Sequence, residues 1–178
     1  MRSEAIEADK QRWAEIENPL TLPQFRFLYV KRKCEQWKGK AYPIYLVYRL
    51  IYQRYKVKYM MDIPARVNIG KGFRIEHIGG IVINPKASIG SNVTMLNGVL
   101  VGAQNRGKHK GYPVIGDKVW IGTNAIIVGG ISIGSNVLIA PGAYVNFDVP
   151  DDSIVLGNPG RVIPCATATN HYLMNIVE

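Results

Sequence analysis

From Asp62 onward, a large apolar residue returns at every sixth position, and no other feature restricts the possible folds of this chain so strongly. A small or aliphatic residue follows most of these positions four places later. Neither the 3.6-residue period of an α-helix nor the two-residue alternation of a single strand keeps this register, whereas a solenoid of short strands with turns between them does. The sequence therefore predicts a solenoid with thirteen inward-pointing residues: Ile63, Ile69, Ile75, Ile83, Ile89, Met95, Val101, Ile115, Ile121, Ile127, Ile133, Ile139 and Val145.

The six-residue register is interrupted twice, and loops leave a solenoid at such interruptions. The first interruption adds two residues between Ile75 and Ile83, and it includes His77 within the run IEHIGG. The second is a fourteen-residue step between Val101 and Ile115 that contains AQNRGKHKGYP. This second step predicts an extended basic loop over residues 103–113.

Residues 1–61 follow a different pattern, with apolar residues at three- and four-residue steps and only Gly39 as a glycine. This spacing predicts helices over residues 3–17, 23–37 and 43–58, the last two with a proline in the first turn, where proline is tolerated. We therefore expect a helical region at 1–61, the solenoid at 62–163 and a C-terminal tail at 164–178.

The net charge of +9 is concentrated in one part of the chain. Residues 19–61 carry ten basic residues against Glu35 alone, whereas residues 1–18 sum to −2 and residues 62–178 to +2. Such a segment is most often a solvated face, and it can also bind an anionic partner. Because the helix at 43–58 is aromatic as well as basic, packing against other helices or a second subunit and peripheral contact with a membrane surface both stay open.

Several classes of function are disfavoured by what the sequence lacks. No apolar run is long enough to span a membrane and the amino terminus is charged, so we expect a cytoplasmic protein. Cys34 and Cys165 lie far apart without CxxC spacing, which favours reduced thiols over a metal site. Phosphate-binding and dinucleotide glycine motifs are also missing, and we expect no nucleic-acid partner.

The hexads of residues 62–163 resemble those of the hexapeptide-repeat acyltransferases, and the run DIPARVNIGKGFRIEHIGGIVINPKASIGSNV is similar to serine acetyltransferases in particular. The resemblance implies a mainly β protein, built as a left-handed parallel β-helix after a short helical region. It also implies acetyl-CoA as co-substrate, no metal, and a homotrimer. By the same resemblance His77 is the general base and Asp62 is its orienting carboxylate fifteen residues earlier. Glu76 replaces an aspartate beside the base and is expected to contact the substrate.

This assignment agrees with the chemistry of acyl transfer to a hydroxyl. A neutral hydroxyl is a poor nucleophile, so a base must take its proton during attack on the thioester. A carboxylate on the other ring nitrogen of a histidine fixes the tautomer and stabilises the imidazolium. Fifteen residues is slightly less than a coil of three hexads, which places Asp62 and His77 at neighbouring edges of successive coils.

Residues for the coenzyme also follow from the resemblance. The run IVLGNPGRVI is similar to the terminal element of the family and implicates Arg161. A groove between subunits implicates Ala103, Thr123 and Leu138, and Lys108 is a candidate for pairing with phosphate oxygens. His109 in the loop is an alternative base or a substrate contact.

One departure from serine acetyltransferases concerns the acceptor. Where that family has Asp-Arg-His-Pro at the end of the long loop, this chain has Lys110, Gly111, Tyr112 and Pro113. The loop instead resembles that of short acetyltransferases of surface-polysaccharide synthesis. We therefore expect a sugar hydroxyl as acceptor, with Tyr112 as a substrate contact. The alternatives are serine O-acetylation for cysteine biosynthesis and a non-catalytic scaffold.

Overall fold

The computed structural model describes residues 3–178 and places three helices before the solenoid: α1 (Glu4–Gln11), α2 (Pro23–Trp37) and α3 (Tyr42–Lys58), with a short 3₁₀ turn at Pro19–Thr21. The helix predicted over residues 3–17 ends at Gln11. It ends early because Arg12 turns into the solenoid, where its guanidinium donates to Gly72 O at 2.9 Å and to Thr94 Oγ1 at 2.8 Å. The chain after Arg12 continues in turns.

The strands form three parallel faces of a triangular solenoid. Face A contains β1 (Met61–Asp62), β4 (Ile81–Ile83), β7 (Leu100–Gly102), β10 (Ile126–Val128) and β13 (Tyr144–Val145). Face B contains β2 (Asn68–Ile69), β5 (Ser88–Ile89), β8 (Val114–Ile115) and β11 (Ser132–Ile133). Face C contains β3 (Arg74–Ile75), β6 (Thr94–Met95), β9 (Val119–Ile121), β12 (Val137–Ile139) and β14 (Ser153–Leu156), and β15 (Arg161–Pro164) adds to it in antiparallel orientation.

The predicted left-handed parallel β-helix is confirmed, and so is its core. All thirteen predicted inward positions are buried, and Ile69 is the most exposed of them at 5%. Successive hexads occupy successive faces, so residues one coil apart stack, as Ile89 does on Ile69 and Ile115 on Ile89. One apolar column therefore runs through the whole solenoid.

The helices close the open end of the first coil by hydrogen bonding to its carbonyl oxygens. A strand edge without a partner leaves backbone groups unsatisfied, and here side chains supply the missing donors. The donors belong to α2, to α3 and to the residue that follows α1: Tyr52 to Ile63 O (2.6 Å), Lys31 to Val67 O (3.1 Å), Arg32 to Ile69 O (2.8 Å) and Gly70 O (2.6 Å), and Arg12 to Gly72 O (2.9 Å). Part of the basic charge of this region is therefore buried in the cap.

A buried ion pair holds this cap together. Arg32 Nε lies 2.7 Å from Asp9 Oδ2, and Asp9 Oδ1 accepts the Phe73 amide at 2.9 Å. Burial raises the pKa of Asp9, and the neighbouring guanidinium of Arg32 opposes that rise. One carboxylate therefore links α1, α2 and the first coil.

The C-terminal tail returns along the solenoid to the helical region. Thr169 Oγ1 donates to Asn136 Oδ1 at 2.6 Å, and the rings of Trp120 and Tyr172 lie 4.9 Å apart. Further on, Asn92 and Val177 exchange two hydrogen bonds of 2.8 and 2.9 Å. The tail thus connects the upper coils to the lower ones.

Helix α3 leaves apolar side chains uncovered between basic ones. Val47, Leu50 and Val57 are 56, 68 and 81% exposed, beside the exposed Arg54 and Lys58. None of the described helices is long and apolar enough to cross a bilayer. Peripheral membrane contact through this basic helix stays a prediction.

The structural role of the buried Asp9–Arg32 ion pair can be tested by mutation. Arg32→Met leaves Asp9 buried without its counter-ion and removes the donors to two carbonyl groups. We expect the free energy of unfolding to fall by about 3–5 kcal/mol, measured by urea denaturation. Lys33→Met removes the neighbouring, partly exposed cation and should cost less than about 1 kcal/mol. Equal losses in both variants would contradict a structural role for the buried pair.

Candidate functional site

His77 lies at a corner of the solenoid where face C passes into face A. We call this the CA corner, formed by residues 76–80, 96–99, 122–125 and 140–143 of successive coils. Gly79 and Gly80 adopt positive φ angles of 107° and 68°, and the Gly80 amide donates to Met60 O at 2.8 Å. His77 is exposed, and within residues 3–178 its imidazole has no hydrogen-bond partner. The imidazole is therefore accessible to a ligand that enters from solvent.

Asp62 lies on face A beside this corner. Strand β1 begins next to the Met60–Gly80 hydrogen bond, so Asp62 follows closely after the backbone that supports the His77 turn. Its side chain is 64% exposed, and Oδ1 lies 2.6 Å from Lys56 Nζ. The structure brings Asp62 and His77 to one region, but the carboxylate contacts Lys56 and not the imidazole.

Glu76 belongs to a separate charge network on face C. Its carboxylate lies 2.9 Å from Arg74 Nε, and Arg74 Nη2 donates to it at 3.3 Å. Arg74 also lies 2.8 Å from Glu15 and stacks over Trp13 with 3.8 Å between the guanidinium carbon and the ring centroid. Glu76 is thus held by a neighbouring cation, and this arrangement fixes the backbone before His77.

Two positioning residues were not predicted from the sequence. Gln24 Nε2 donates to Glu76 O at 3.1 Å, which ties α2 to the residue before the histidine. Arg74 has a weak sequence signal, because residues two apart on a strand share a face and Arg74 stands two before Glu76. Gln24 has none, since its contact joins residues 52 positions apart.

The basic loop leaves the opposite edge of face A, at the corner that leads to face B. We call this the AB corner, formed by residues 63–67, 84–87, 103–113 and 129–131. Gln104 and Gly111 exchange backbone hydrogen bonds of 3.1 and 2.9 Å, which close the loop as a hairpin. The Gly130 amide donates to His109 O at 2.8 Å and fastens the hairpin to the next coil.

The side chains of this loop point to different surroundings. Lys108 is exposed, and His109 is half-buried. Tyr112 is 37% exposed, and Lys86 Nζ lies 4.9 Å from its ring centroid. Within one chain, face A separates these residues from His77, so a single subunit does not unite the predicted substrate contacts.

The predicted coenzyme residues divide between three places. Thr123 is in the CA corner two coils beyond His77, which corresponds to about 10 Å along the solenoid, and its hydroxyl donates to Asn97 Oδ1 at 3.1 Å. Ala103 opens the loop at the AB corner. Arg161 is exposed on β15, while Leu138 on face C is only 6% exposed and offers little surface to a ligand.

The histidine, cysteine and acidic side chains of the described residues do not form a metal site. Within the described part of the chain, no three histidine, cysteine or acidic residues come together as ligands. Burial raises the pKa of Cys34 to about 11, so this thiol is neutral at pH 7. The chemistry available at the CA corner is that of an imidazole with a carboxylate nearby.

Comparison with known proteins identifies relatives of this architecture. The bacterial transferase hexapeptide family (six repeats) matches residues 112–146. Serine acetyltransferase of Bacillus subtilis is 40% identical over 119 residues, which cover 67% of this chain and 55% of the relative. Serine acetyltransferase 4 of Arabidopsis thaliana is 36% identical over 103 residues, 58% of this chain and 29% of that relative. The chain therefore spans about half of the bacterial relative and less than a third of the plant one.

Solved structures extend the similarity to the helical region. Neisseria gonorrhoeae serine acetyltransferase in complex with serine is 30% identical, with a TM-score of 0.74 over 90% of this chain and 68% of that chain. Soybean serine acetyltransferase complexed with serine is 29% identical, with a TM-score of 0.74 over 89% of this chain and 68% of that chain.

These relatives correct one prediction. A sugar hydroxyl in surface-polysaccharide synthesis is wrong as the acceptor, because the relatives found in both comparisons are serine acetyltransferases. The prediction rests on Gly111 and Tyr112 replacing two family residues at one end of a loop. The similarity to the serine acetyltransferase of Bacillus subtilis instead extends over 119 residues, which is 67% of this chain. The chain belongs to the hexapeptide-repeat acyltransferases and is serine acetyltransferase-like.

Proposed function

We propose that this protein is an acetyl-CoA-dependent serine O-acetyltransferase with His77 as general base. The observation that carries the proposal is His77 itself: an exposed imidazole without a hydrogen-bond partner among residues 3–178, on a turn fixed by Gln24 and by the Gly80–Met60 hydrogen bond. The similarity to serine acetyltransferases is the basis for proposing acetyl-CoA as the acetyl donor and serine as the acceptor. A silent scaffold would not need a turn held so firmly around an unpaired imidazole.

In the proposed reaction the imidazole of His77 takes the proton of the serine hydroxyl as its oxygen attacks the thioester carbonyl carbon. The C–O bond forms and a tetrahedral oxyanion results. When the intermediate collapses, the C–S bond breaks, and the proton passes from His77 to the coenzyme thiolate. The products are O-acetylserine and coenzyme A, and no other reactant is required.

Nearby groups fit supporting roles. The Gly79 amide makes no backbone hydrogen bond within the described residues, whereas the Gly80 amide donates to Met60 O, so Gly79 is the better candidate for stabilising the oxyanion. Asp62 would orient the imidazole after turning from Lys56. The exposed Lys108 and Arg161 have no ion-pair partner in the described chain and suit coenzyme phosphates.

A homotrimer is part of the proposal. His77 and the loop residues His109 and Tyr112 lie on opposite edges of face A, so a complete site needs the loop edge of one subunit beside the CA corner of another. Because the coenzyme would lie in the groove so formed, activity and assembly are expected to depend on each other. We also propose a cytoplasmic location, where acetyl-CoA is available.

The acceptor is tested by thiol release. Purified protein with acetyl-CoA should release free coenzyme A when L-serine is added, and mass spectrometry should detect O-acetylserine. Glycine, which has the same charged groups without the hydroxyl, is the matched control and should release none. The absence of serine-dependent thiol release would overturn the proposed function.

The base is tested by substitution at two histidines. His77→Asn should lower turnover by about 10² to 10⁴, the usual contribution of general-base catalysis, while calorimetry records nearly unchanged coenzyme A binding. His109→Asn should change turnover by less than about tenfold. If His77→Asn kept near-normal turnover, or if His109→Asn caused the larger loss, His109 would replace His77 as the proposed general base.

The loop is tested at its attachment. A Cβ at Gly130 would lie 2.8 Å from Lys110 O and 3.1 Å from Gly111 Cα, both backbone atoms, so Gly130→Ala must displace the hairpin. We expect faster tryptic cleavage at the loop and a loss of turnover between about tenfold and a hundredfold. In the control Gly102→Ala, the nearest atom is Val128 Cγ1 at 3.1 Å, and this side chain can rotate away. Full activity with a displaced loop would exclude the loop from the site.

A further inference from the structure

A cavity of about 540 Å³ lies between the helical cap and the first coil, at the foot of the AB corner. Its volume is within the range of small-molecule sites. The end of α2, one side of α3 and the turn after β1 form its walls, with the lining residues Cys34, Glu35, Lys38, Tyr45, Arg49, Gln53, Lys56, Pro64, Ala65, Arg66, Val67 and Asn68. Most of these are polar or charged.

One helical stripe provides the wall on α3. Tyr45, Arg49, Gln53 and Lys56 follow each other at steps of four, four and three residues, which places them on one side of a helix. This side differs from the exposed apolar one that contains Leu50 and Val57. Helix α3 therefore directs two cations and an amide into the cavity.

The cations of the cavity outnumber the negative charges that could balance them. Lys38, Arg49 and Arg66 have no hydrogen bond or ion pair with any residue of the described chain. Lys56 contacts Asp62 at 2.6 Å. The lining carboxylate, Glu35, is already bound by Lys31 and, at 3.2 Å, by Arg32.

The rest of the lining does not compensate this charge. Burial keeps Cys34 as a neutral thiol, with a pKa of about 11. Several uncompensated cations around one concave volume create a positive potential that is focused into it. A small anion with several acceptor oxygens is the ligand that such a volume stabilises, and arginine is suited to phosphate because its donors form a planar fork.

We propose that this cavity is a binding site for a phosphate-bearing small molecule, with Lys38, Arg49 and Arg66 as the residues that bind the phosphate. Tyr45, Pro64 and Ala65 offer an apolar wall to the organic part, and Gln53 and Asn68 offer amide groups. The cavity lies at the end of β1 that is away from the His77 turn of the same chain, and its lining includes none of the residues proposed to act on serine. Since Lys56 belongs both to the cavity and to the Asp62 ion pair, a bound phosphate would share this cation with Asp62.

Titration calorimetry of the full chain tests the proposal at constant ionic strength, with inorganic phosphate and adenosine monophosphate as probes and chloride as the balancing ion. We expect saturable binding of one anion per chain. Tighter binding of the nucleotide would identify an organic phosphate as the ligand class, and equal affinity a free phosphate. Binding is measured without turnover, and because adenosine monophosphate also fits the proposed coenzyme groove, only binding that the cavity variants weaken supports this site.

Matched charge deletions locate the site. Arg49→Gln and Arg66→Gln should each weaken binding by about tenfold or more, because each removes charge-assisted hydrogen bonds. Arg106→Gln removes one charge from the distant loop and should change the affinity less than twofold. Both cavity variants should unfold at the same urea concentration as the wild type or a higher one, since they relieve repulsion between unpaired cations. No saturable binding to the wild type, or equal weakening in all three variants, would overturn the proposal.

Discussion

The open edge of the first coil is the constraint on which the rest of this structure depends. A solenoid satisfies its backbone by stacking one coil on the next, so the coil without a predecessor must find other partners. Here Arg12, Lys31, Arg32 and Tyr52 donate to its carbonyl oxygens, and Asp9 accepts one of its amides. The helical region is basic in part because carbonyl oxygens need donors. This cap also positions Gln24, which contacts Glu76, and Lys56, which contacts Asp62. The capped end of the solenoid and the candidate site are therefore directly connected.

The candidate functional residues lie along the two edges of face A. Its two edges present different groups: the CA corner presents His77 and Thr123, and the AB corner presents the basic hairpin with His109 and Tyr112. Asp62 lies between them and is held by a lysine from α3. A flat, rigid face that separates base from loop favours a site completed between subunits, because neither edge can bend toward the other without breaking the parallel ladder.

The sequence was sufficient for those features that depend on local spacing. Thirteen inward residues and the prolines in the first turns of α2 and α3 follow from periodicity or from residue type alone. The cap was not predictable in detail, because Arg12 meets Gly72 and Thr94 across 60 and 82 residues. Gln24 and the cation-lined cavity were missed for the same reason. The sugar acceptor was wrong because Gly111 and Tyr112 are only two residues of one loop, whereas the similarity to a serine acetyltransferase extends over 119 residues.

The C-terminal tail has a consequence for how this fold can change in evolution. Repeat proteins commonly gain or lose repeats, because each unit contacts only its neighbours. Here the same tail bonds to Asn136 near the top and to Asn92 near the bottom, with Met174 O accepting from Arg12 at 2.8 Å. An inserted coil would separate these anchors by a further ~4.8 Å. The tail would then need added residues or would lose one of its attachments. The length of the tail must therefore match the number of coils between its two attachments. Among relatives that keep these contacts, coil number and tail length are expected to vary together.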